Sequence, residues 1–195
     1  MTTTDLPADF RRRLLDGMAA AIRRAGYPDT TVADIVREAR TSRRTFYAHF
    51  ADRQECLIAL LREANQRTIA RIENAVDPRA PWESQVRQAI EAWVAAVQAD
   101  PPVTLSWIRD VPALGERARR LQRETMAAFV VLIQTLTDTP ELRADGVLPP
   151  SHQTAIVLLG GLRELIATTV EDGGAIDGIT APAVEATKLL LGPRG

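Results

Sequence analysis

Apolar residues recur every three or four positions along almost the whole chain, and this period is the strongest constraint on the fold. Phe10, Leu14, Met18 and Ile22 form one such stripe, and comparable stripes continue to the C-terminal residues. A 3.6-residue repeat places these side chains on one face of an α-helix, and the alternation typical of β-strands is absent from the sequence. The sequence therefore predicts an all-α protein of about nine helices.

Proline, glycine and helix-capping residues predict where the helices begin and end. Thr30 or Thr31 is a suitable cap for a second helix, whose first turn Asp34, three residues after Thr31, suits, and Ser42 is a suitable cap for a third. The predicted helices cover residues 8–26, 31–39, 42–49, 52–76, 82–100, 102–110, 114–136, 151–172 and 181–191, with a loop over 137–150. We expect two domains, residues 1–53 and 54–195, connected by the long fourth helix.

The numbers of cysteine and histidine residues exclude several classes of protein. Cys56 is the only cysteine, and His49 and His152 are the only histidines. No intramolecular disulfide and no plausible metal site can be assembled from these residues. Nothing suggests a signal peptide, and the longest strongly apolar run, over 154–162, is shorter than the ~18 residues of a membrane span. We therefore expect a cytoplasmic protein without metal or cofactor.

The basic residues are concentrated in the N-terminal part of the chain. The formal net charge of the 195 residues is −1, which argues against a generally basic nucleic-acid binder. Residues 1–53, however, hold ten arginines and seven acidic residues, whereas residues 54–195 hold fourteen basic and eighteen acidic residues. The N-terminal part therefore carries a charge of +3 and the remainder −4.

The second and third predicted helices have the proportions of a helix-turn-helix. They are separated by a tight turn, and Arg43 and Arg44 lie at the start of the second helix of the pair. In this motif that helix enters the major groove of DNA, and its first residues meet the base edges. The arginine side chains could reach guanine O6 and N7, and the Ser42 and Thr45 hydroxyls suit phosphate oxygens.

The 27 residues from Thr31 to Leu57 resemble the N-terminal signature of the TetR family of transcriptional regulators. The positions that fall on the family pattern in register are Thr31, Ile35, Ala39, Ser42, Tyr47, Phe50 and Leu57. The resemblance implies a three-helix DNA-binding domain and a larger domain that binds a small molecule and forms a homodimer. The DNA-binding candidates are Thr31, Ser42, Arg43, Arg44, Thr45, Tyr47, His49 and Arg53.

The sequence departs from the family pattern at three positions. Arg40 stands where a turn glycine is usual, so either an arginine adopts a positive φ there at a cost of about 1 kcal/mol or the turn differs slightly from that of the family. Thr41 replaces the usual valine, and Arg53 stands where a lysine commonly contacts phosphate.

Several side chains near the motif have two interpretations. Phe46 and Phe50 are expected in the core, whereas Tyr47 could pack through its ring or contact phosphate through its hydroxyl. His49 could contact phosphate or lie in solvent at the helix end. The arginines of the first helix, residues 11–13, are expected on a solvated face, and Cys56 is expected to be buried.

The C-terminal part contains the predicted dimer and ligand-binding residues. Residues 155–162 are apolar on every side, and Gly160 and Gly161 favour close approach of another helix. With the last helix they predict a four-helix interface between two copies, formed by Leu158, Gly161, Leu162, Leu165, Leu189 and Leu190. Trp93, Trp107, Met126 and Phe129 are candidates for a ligand cavity, with core packing as the alternative. Arg109, Thr125 and Arg163 are the candidate polar groups of that cavity.

The functional hypothesis is a homodimeric repressor that a small-molecule effector releases from a palindromic double-stranded DNA operator. No serine, histidine and acid arrangement and no phosphate-binding loop can be assembled, so an enzyme is not expected. A helical small-molecule-binding or adaptor protein without DNA binding is the alternative, because Arg40 and Thr41 depart from the pattern.

Overall fold

The computed structural model describes residues 7–193 and contains ten α-helices and no β-strand within that range. The helices are α1 (Pro7–Asp29), α2 (Val32–Glu38), α3 (Arg43–His49), α4 (Arg53–Ala75), α5 (Trp82–Ala99), α6 (Pro101–Arg109), α7 (Glu116–Thr137), α8 (Pro140–Ala144), α9 (His152–Glu171) and α10 (Thr180–Leu191). Two short 3-10 segments, Val111–Ala113 and Ile176–Ile179, precede α7 and α10. The prediction of an all-α fold is confirmed.

The predicted end of the first helix corresponds to a kink. Gly26 has a φ of 75° and a ψ of 163°, which are not helical values, and the chain continues in a last turn that contains Pro28. Proline cannot donate a helical hydrogen bond, so the chain bends before α2 begins.

The prediction of a loop over 137–150 is wrong because this segment contains α8. Thr139 caps the helix by accepting a hydrogen bond from the Leu142 amide at 3.2 Å, and Pro140 occupies the first turn. Only one residue of α8, Leu142, is buried. A five-residue helix with a single buried side chain has no apolar period that could predict it.

The chain divides into two compact units, each with its own core. Unit 1 comprises the described residues up to Ala64 together with Pro102–Leu121, and unit 2 comprises Asn65–Pro101 together with residues 122–193. Helix α6 and the beginning of α7 therefore pack with α1–α4, although they are distant in sequence. The expected domain boundary between residues 53 and 54 stays a prediction.

The core of unit 1 fixes the three N-terminal helices on the first part of α4. Helix α1 packs along α2, and α3 contacts both of them. The fully buried large side chains are Leu14, Met18 and Ile22 of α1, Ile35 of α2, Phe46 of α3, and Leu57 and Leu61 of α4. Val103, Val111, Ala118 and Leu121 extend this core. The segment that follows α2 is therefore held by one continuous apolar cluster.

Unit 2 contains the remaining helices. One apolar cluster joins Ile72 of α4, Ala92 of α5 and Leu132 of α7, with Trp93 and Phe129 packed against it. Helix α10 packs on α5 and on α9. The buried residues of α9 and α10 include Leu158, Leu162, Ile166, Ala183 and Val184.

Among the described residues, one helix, α9, is long and apolar enough to cross a membrane, with a mean hydropathy of 1.2 over 18 residues. The sequence interpretation, which counted only the apolar run over 154–162, did not find it. Arg163 and Glu164 lie in the middle of α9, and an arginine at a bilayer centre costs roughly 2.5–3.5 kcal/mol. One face, with Leu158 and Ile166, is buried in unit 2. Because 28% of the apolar window is buried, α9 packs on its unit by one face only.

Candidate nucleic-acid interface

Helices α2 and α3 are each capped by a side-chain hydroxyl. Thr31 forms a complete capping box with Asp34: the Thr31 hydroxyl accepts from the Asp34 amide at 3.2 Å, and the Asp34 carboxylate accepts from the Thr31 amide at 3.0 Å. The Ser42 hydroxyl accepts from the Thr45 amide at 3.1 Å and lies 2.9 Å from the Thr45 hydroxyl. Of the two candidate caps of the second helix, Thr30 and Thr31, the structure uses Thr31, and Ser42 caps α3 as predicted.

The turn between α2 and α3 is a Schellman motif with arginine at the position that glycine usually occupies. The Thr41 amide donates to the Val36 carbonyl at 2.9 Å, and the Arg40 amide donates to the Arg37 carbonyl at 3.1 Å. Arg40 has a φ of 50°, in the left-handed region. Of the two alternatives given by the sequence, the structure has the positive φ, which costs an arginine about 1 kcal/mol.

Arg13 of α1 binds this turn. Its Nε and Nη2 donate to the Ala39 carbonyl at 3.2 and 2.9 Å, and Nη2 also donates to the Arg40 carbonyl at 2.7 Å. The expectation of a solvated face for residues 11–13 is wrong for Arg13. It holds in part for Arg11, whose side chain is 43% exposed but pairs with Glu63 and lies over the Phe50 ring at 5.8 Å. It holds for Arg12, whose side chain is 84% exposed.

Phe46 attaches α3 to the core of unit 1. Its side chain is fully buried and Phe50 is nearly so, as predicted. The Tyr47 ring meets Phe46 edge to face at 5.4 Å, yet 58% of Tyr47 is exposed. Tyr47 therefore combines partial packing with a solvent-facing position on the exposed side of α3.

Arg24 of α1 and Arg37 of α2 differ in their ion pairs from the arginines of the following turn and of α3. Arg24 and Arg37 each lie 2.7 Å from the Asp34 carboxylate and 3.7 Å from Glu38. Within residues 7–193, no acidic partner is found for Arg40, Arg43 or Arg44, which are all exposed, and the first turn of α3 contains no acid. The turn and the start of α3 therefore present three uncompensated positive charges.

The other predicted DNA-binding residues lie around this surface. Thr31 and Ser42 are exposed, and Thr45 and His49 are half-buried. Arg53 differs, because its Nη1 donates to the carbonyls of Tyr27, Pro28 and Thr30, and its guanidinium lies 4.4 Å from the centre of the Tyr27 ring. In this structure Arg53 holds the last turn of α1, and its predicted phosphate contact would need its remaining N–H groups.

Two residues of unit 1 have strongly shifted pKa values. Hydrogen bonds from the hydroxyl and the amide of Thr31, and then from Arg37 and Arg24, hold the pKa of Asp34 far below its ordinary value of 3.8. Burial raises the pKa of the Cys56 thiol to about 12. Cys56 is a core residue, as predicted, and its thiol stays protonated.

The four predicted ligand-binding residues do not lie in one unit. Trp93, Met126 and Phe129 belong to unit 2, whereas Trp107 packs against the core of unit 1. All four are half-buried. Of the candidate polar groups, Thr125 is buried and its hydroxyl accepts from the Asn65 side chain at 3.3 Å, Arg163 is half-buried, and Arg109 is exposed.

A cleft of about 320 Å³ lies in unit 1, away from those side chains. It is lined by Glu55, Ile58, Arg62, Glu116, Arg117 and Arg120. Its lining was not predicted from the sequence, because it joins two segments far apart in the chain. Among the described residues, no group of histidine, cysteine and acidic side chains is arranged to hold a metal ion.

The predicted dimer residues divide into core and surface. Leu158 and Leu162 are buried within their own unit and Leu165 is half-buried, whereas Gly161, Leu189 and Leu190 are exposed. The exposed apolar side chains of α9 are instead Ile156 and Val157. A helix that is apolar on every side gives no period that shows which face is inward.

Comparison with known proteins supports the same architecture. Residues 14–60 match the model of the family described as bacterial regulatory proteins, tetR family. The fatty acid degradation regulator FadR from Bacillus halodurans is 17% identical, with a TM-score of 0.79 over 93% of this chain and 94% of that one. No match was found among curated proteins.

Two further solved structures share the fold. The transcriptional regulator FadR from Bacillus subtilis, in complex with stearoyl-CoA, is 16% identical, with a TM-score of 0.77 over 94% of this chain and 99% of that one. A tetR-family transcriptional regulator from Streptomyces coelicolor is 16% identical, with a TM-score of 0.77 over 97% of this chain and 82% of that one.

Proposed function

We propose that this chain is a TetR-family regulator, a homodimeric repressor that a small molecule releases from a palindromic operator, because residues 14–60 match the tetR family model and the chain has the fold of solved transcriptional regulators. It acts in the cytoplasm, where operator DNA is accessible. The protein would therefore have three partners, which are operator DNA, a small-molecule effector and a second copy of the chain.

The observation that carries the proposal is the uncompensated charge of Arg40, Arg43 and Arg44. Arginines with no acidic partner attract a polyanion without first breaking an ion pair. Arg43 and Arg44 lie in the first turn of α3, the part of a recognition helix that meets base edges. We assign them to guanine O6 and N7 in the major groove.

The neighbouring polar side chains suit the phosphate backbone. Thr31, Ser42 and Thr45 supply hydroxyls at the starts of α2 and α3, and Tyr47 and His49 supply polar atoms on α3. Contacts of this kind fix the register of a protein on the duplex and carry no sequence information. We assign these residues, with the remaining N–H groups of Arg53, to phosphate contacts.

The exposed apolar face of α9 and α10 supports a homodimer. Val157 is 62% exposed, Leu189 is 82% exposed, and Ile156 and Leu190 are also exposed. An added Cβ at Gly160 or Gly161 would meet no atom within 4 Å in the single chain, so a partner helix has room to approach. A twofold axis there would present two α3 helices to half-sites roughly 34–36 Å apart.

The effector site is assigned to unit 2, with Trp93, Met126 and Phe129 as its apolar lining. Small-molecule sites are lined mainly by apolar and aromatic side chains, and Trp93 and Phe129 pack beside one apolar cluster of unit 2. Because FadR from Bacillus subtilis was solved with stearoyl-CoA, a long-chain acyl-CoA is the first effector to test. Trp107, which packs in unit 1, is assigned instead to the conformational change that follows effector binding.

Contacts within unit 1 support a path from the effector to α3. Gln54 donates to the Leu114 carbonyl at 2.6 Å, and Arg117 lies 3.1 Å from Asp52 and 4.0 Å from Glu55. The segment before and at the start of α7 is thus tied to the start of α4, which follows α3 directly. A shift of that segment would move α4 and change the spacing of the two recognition helices.

The experiment is selection of bound sequences from random duplexes by the purified protein, followed by a release assay. Enrichment of one palindromic site with half-sites about one helical turn apart is expected. Stearoyl-CoA is then titrated into the complex, with free coenzyme A as the control. Selection of no common site would overturn the DNA-binding assignment and favour a ligand-binding protein without an operator. Selection of a site with no release would overturn only the choice of effector.

A further inference from the structure

We propose that Arg13 is a positioning residue for DNA binding, which holds the turn between α2 and α3 so that α3 is preset for the major groove. The proposal rests on the DNA-binding function proposed above. It concerns a residue of α1 that lies outside the helix-turn-helix and outside every predicted contact set.

The contacts of Arg13 are those of a side chain that caps a helix end. The last carbonyls of an α-helix have no partner within the helix. The Ala39 carbonyl accepts from Arg13 Nε and Nη2 at 3.2 and 2.9 Å, and the Arg40 carbonyl accepts from Nη2 at 2.7 Å. A planar guanidinium can bind two adjacent carbonyls in this way, whereas the single ammonium of lysine cannot reproduce the fork.

The packing of α1 on α2 sets the position of Arg13. One helical turn after Arg13, Gly17 lies so close to α2 that an added Cβ would be 2.7 Å from the Ile35 carbonyl oxygen. The Phe10 ring, on the other side, lies 5.2 Å from the Arg13 guanidinium. The close approach at Gly17 thus brings α1 near the end of α2, and the Phe10 ring lies beside the guanidinium that binds there.

Arg40, whose carbonyl Arg13 binds, has a strained backbone conformation. Arg40 has a φ of 50°, which an L-residue other than glycine adopts at a cost. Ser42, which caps α3, follows after a single residue, so the backbone angles of Arg40 set the direction of α3. Binding of the Arg40 carbonyl by Arg13 stabilises the left-handed conformation that glycine would adopt unaided.

A direct contact between Arg13 and DNA predicts a different behaviour. The Nε and Nη2 groups of Arg13 are already bound to carbonyls, and two of these bonds are partly buried. Removal of a positioning residue leaves the number of phosphate contacts unchanged, so the salt dependence of DNA affinity keeps its slope. Removal of a phosphate contact reduces that slope by about 1.

The test compares Arg13→Ala, Arg13→Lys, Arg40→Gly and the double variant Arg13→Ala/Arg40→Gly with the full-length wild type. Dissociation constants for the selected operator are measured at several salt concentrations, and thermal unfolding is followed in parallel. Arg12→Ala is the matched control, because Arg12 is the adjacent arginine of α1 and its nearest acid atom, on Asp16, is 4.0 Å away.

We expect Arg13→Ala to weaken operator binding roughly tenfold with an unchanged salt slope, and Arg13→Lys to restore little of the loss. Because Arg40→Gly also removes a charge of the DNA surface, the double variant is compared with Arg40→Gly and not with wild type. Arg13→Ala should cost less than twofold in the Arg40→Gly background, because glycine adopts the turn without Arg13. This comparison stays possible even if Arg13→Ala alone fails to fold. Arg12→Ala should lose less affinity than Arg13→Ala.

Three results would overturn the proposal: affinity of Arg13→Ala within twofold of wild type, loss of affinity with a reduced salt slope, or a loss on Arg13→Ala that is as large in the Arg40→Gly background as in the wild type. Failure of the wild type to bind any duplex is a separate outcome. It would contradict the proposed function itself, and with it the role of Arg13.

Discussion

Arg37 and Arg44 are both exposed arginines of the helix-turn-helix, yet their surroundings give them different roles. Arg37 lies between Asp34 and Glu38, whose carboxylates compensate its charge. Arg44, in the first turn of α3, has no acidic partner among the described residues. Local pairing, and not the number of arginines, therefore decides which side chains are available to a polyanion.

Asp34 should make the stability of unit 1 sensitive to acid. Its pKa is lowered in the folded chain, so the stability it contributes is present above its ordinary value of 3.8 and is lost as the pH falls below that value. Asp34→Asn should lower the free energy of unfolding at pH 7, and the difference from wild type should shrink below about pH 4. Urea unfolding from pH 7 to pH 3 measures this difference.

Asp16→Asn is the matched control, because Asp16 is an exposed acid on α1 whose nearest basic atom is 4.0 Å away. It should change stability little at any pH in this range. An Asp34→Asn protein with wild-type stability at pH 7 would contradict the capping box as a stabilising feature of α2.

The residues of the site differ in how far they could be predicted. Ser42, Arg43 and Arg44 could be proposed from the sequence, because a cap followed by basic residues is a local pattern. Arg13 was missed, because its partners, the carbonyls of Ala39 and Arg40, are brought near only by folding. The arginine in a glycine position was a signal that some outside partner must hold the turn, but it did not show which one.

At the scale of helices, the close approach of α1 and α2 is set by Gly17. An added Cβ would be 2.7 Å from the Ile35 carbonyl oxygen and 3.0 Å from the Ala39 amide nitrogen, both of which are backbone atoms of α2. The backbone cannot move aside as a flexible side chain can. The orientation of the whole motif on α1 thus depends on one residue without a side chain.

Gly17→Ala should therefore destabilise the protein by about 1–3 kcal/mol, although alanine is the better helix former. Gly178→Ala is the control, since a Cβ there meets no atom within 4 Å, and it should change stability by less than about 0.5 kcal/mol. Chemical denaturation measures both. A Gly17→Ala variant more stable than wild type would show that α1 and α2 are farther apart than described.

Long helices could be predicted from the sequence and short or fully apolar ones only in part. Helix α7 repeats its apolar residues over many turns, whereas α8 has only Leu142 to bury. In α9 the existence of the helix was clear, but Val157 and Leu158 are neighbours with opposite surroundings, one exposed and one buried. Only packing against other helices distinguishes such positions.

At the scale of the whole molecule, the near-neutral charge is an average over a basic N-terminal part and an acidic remainder. The basic part contains the proposed DNA surface, and the acidic part contains the apolar face proposed for the homodimer. Because an operator with two half-sites is bound by two α3 helices at once, dimer formation and DNA affinity should be lost together.

Val157→Asp should therefore convert the proposed dimer into a folded monomer with weakened operator binding, because a charge on an apolar interface loses its water without gaining a partner. Val131→Asp on α7 is the matched control, since Val131 is 60% exposed and Val157 is 62% exposed. Sedimentation velocity gives the oligomeric state of both. Dimers of equal stability in the two variants would contradict the assignment of the interface to the exposed face of α9.

The central claim is that Arg43 and Arg44 read base edges, and its most direct test is the ratio of affinities for the selected operator and a scrambled duplex at fixed salt. Arg43→Ala/Arg44→Ala should reduce this ratio at least tenfold, since each guanine contact is worth about 1–3 kcal/mol. Arg87→Ala, which removes an exposed arginine of α5, should leave it unchanged. An unchanged ratio in the double variant would contradict the assignment of α3 as the recognition helix.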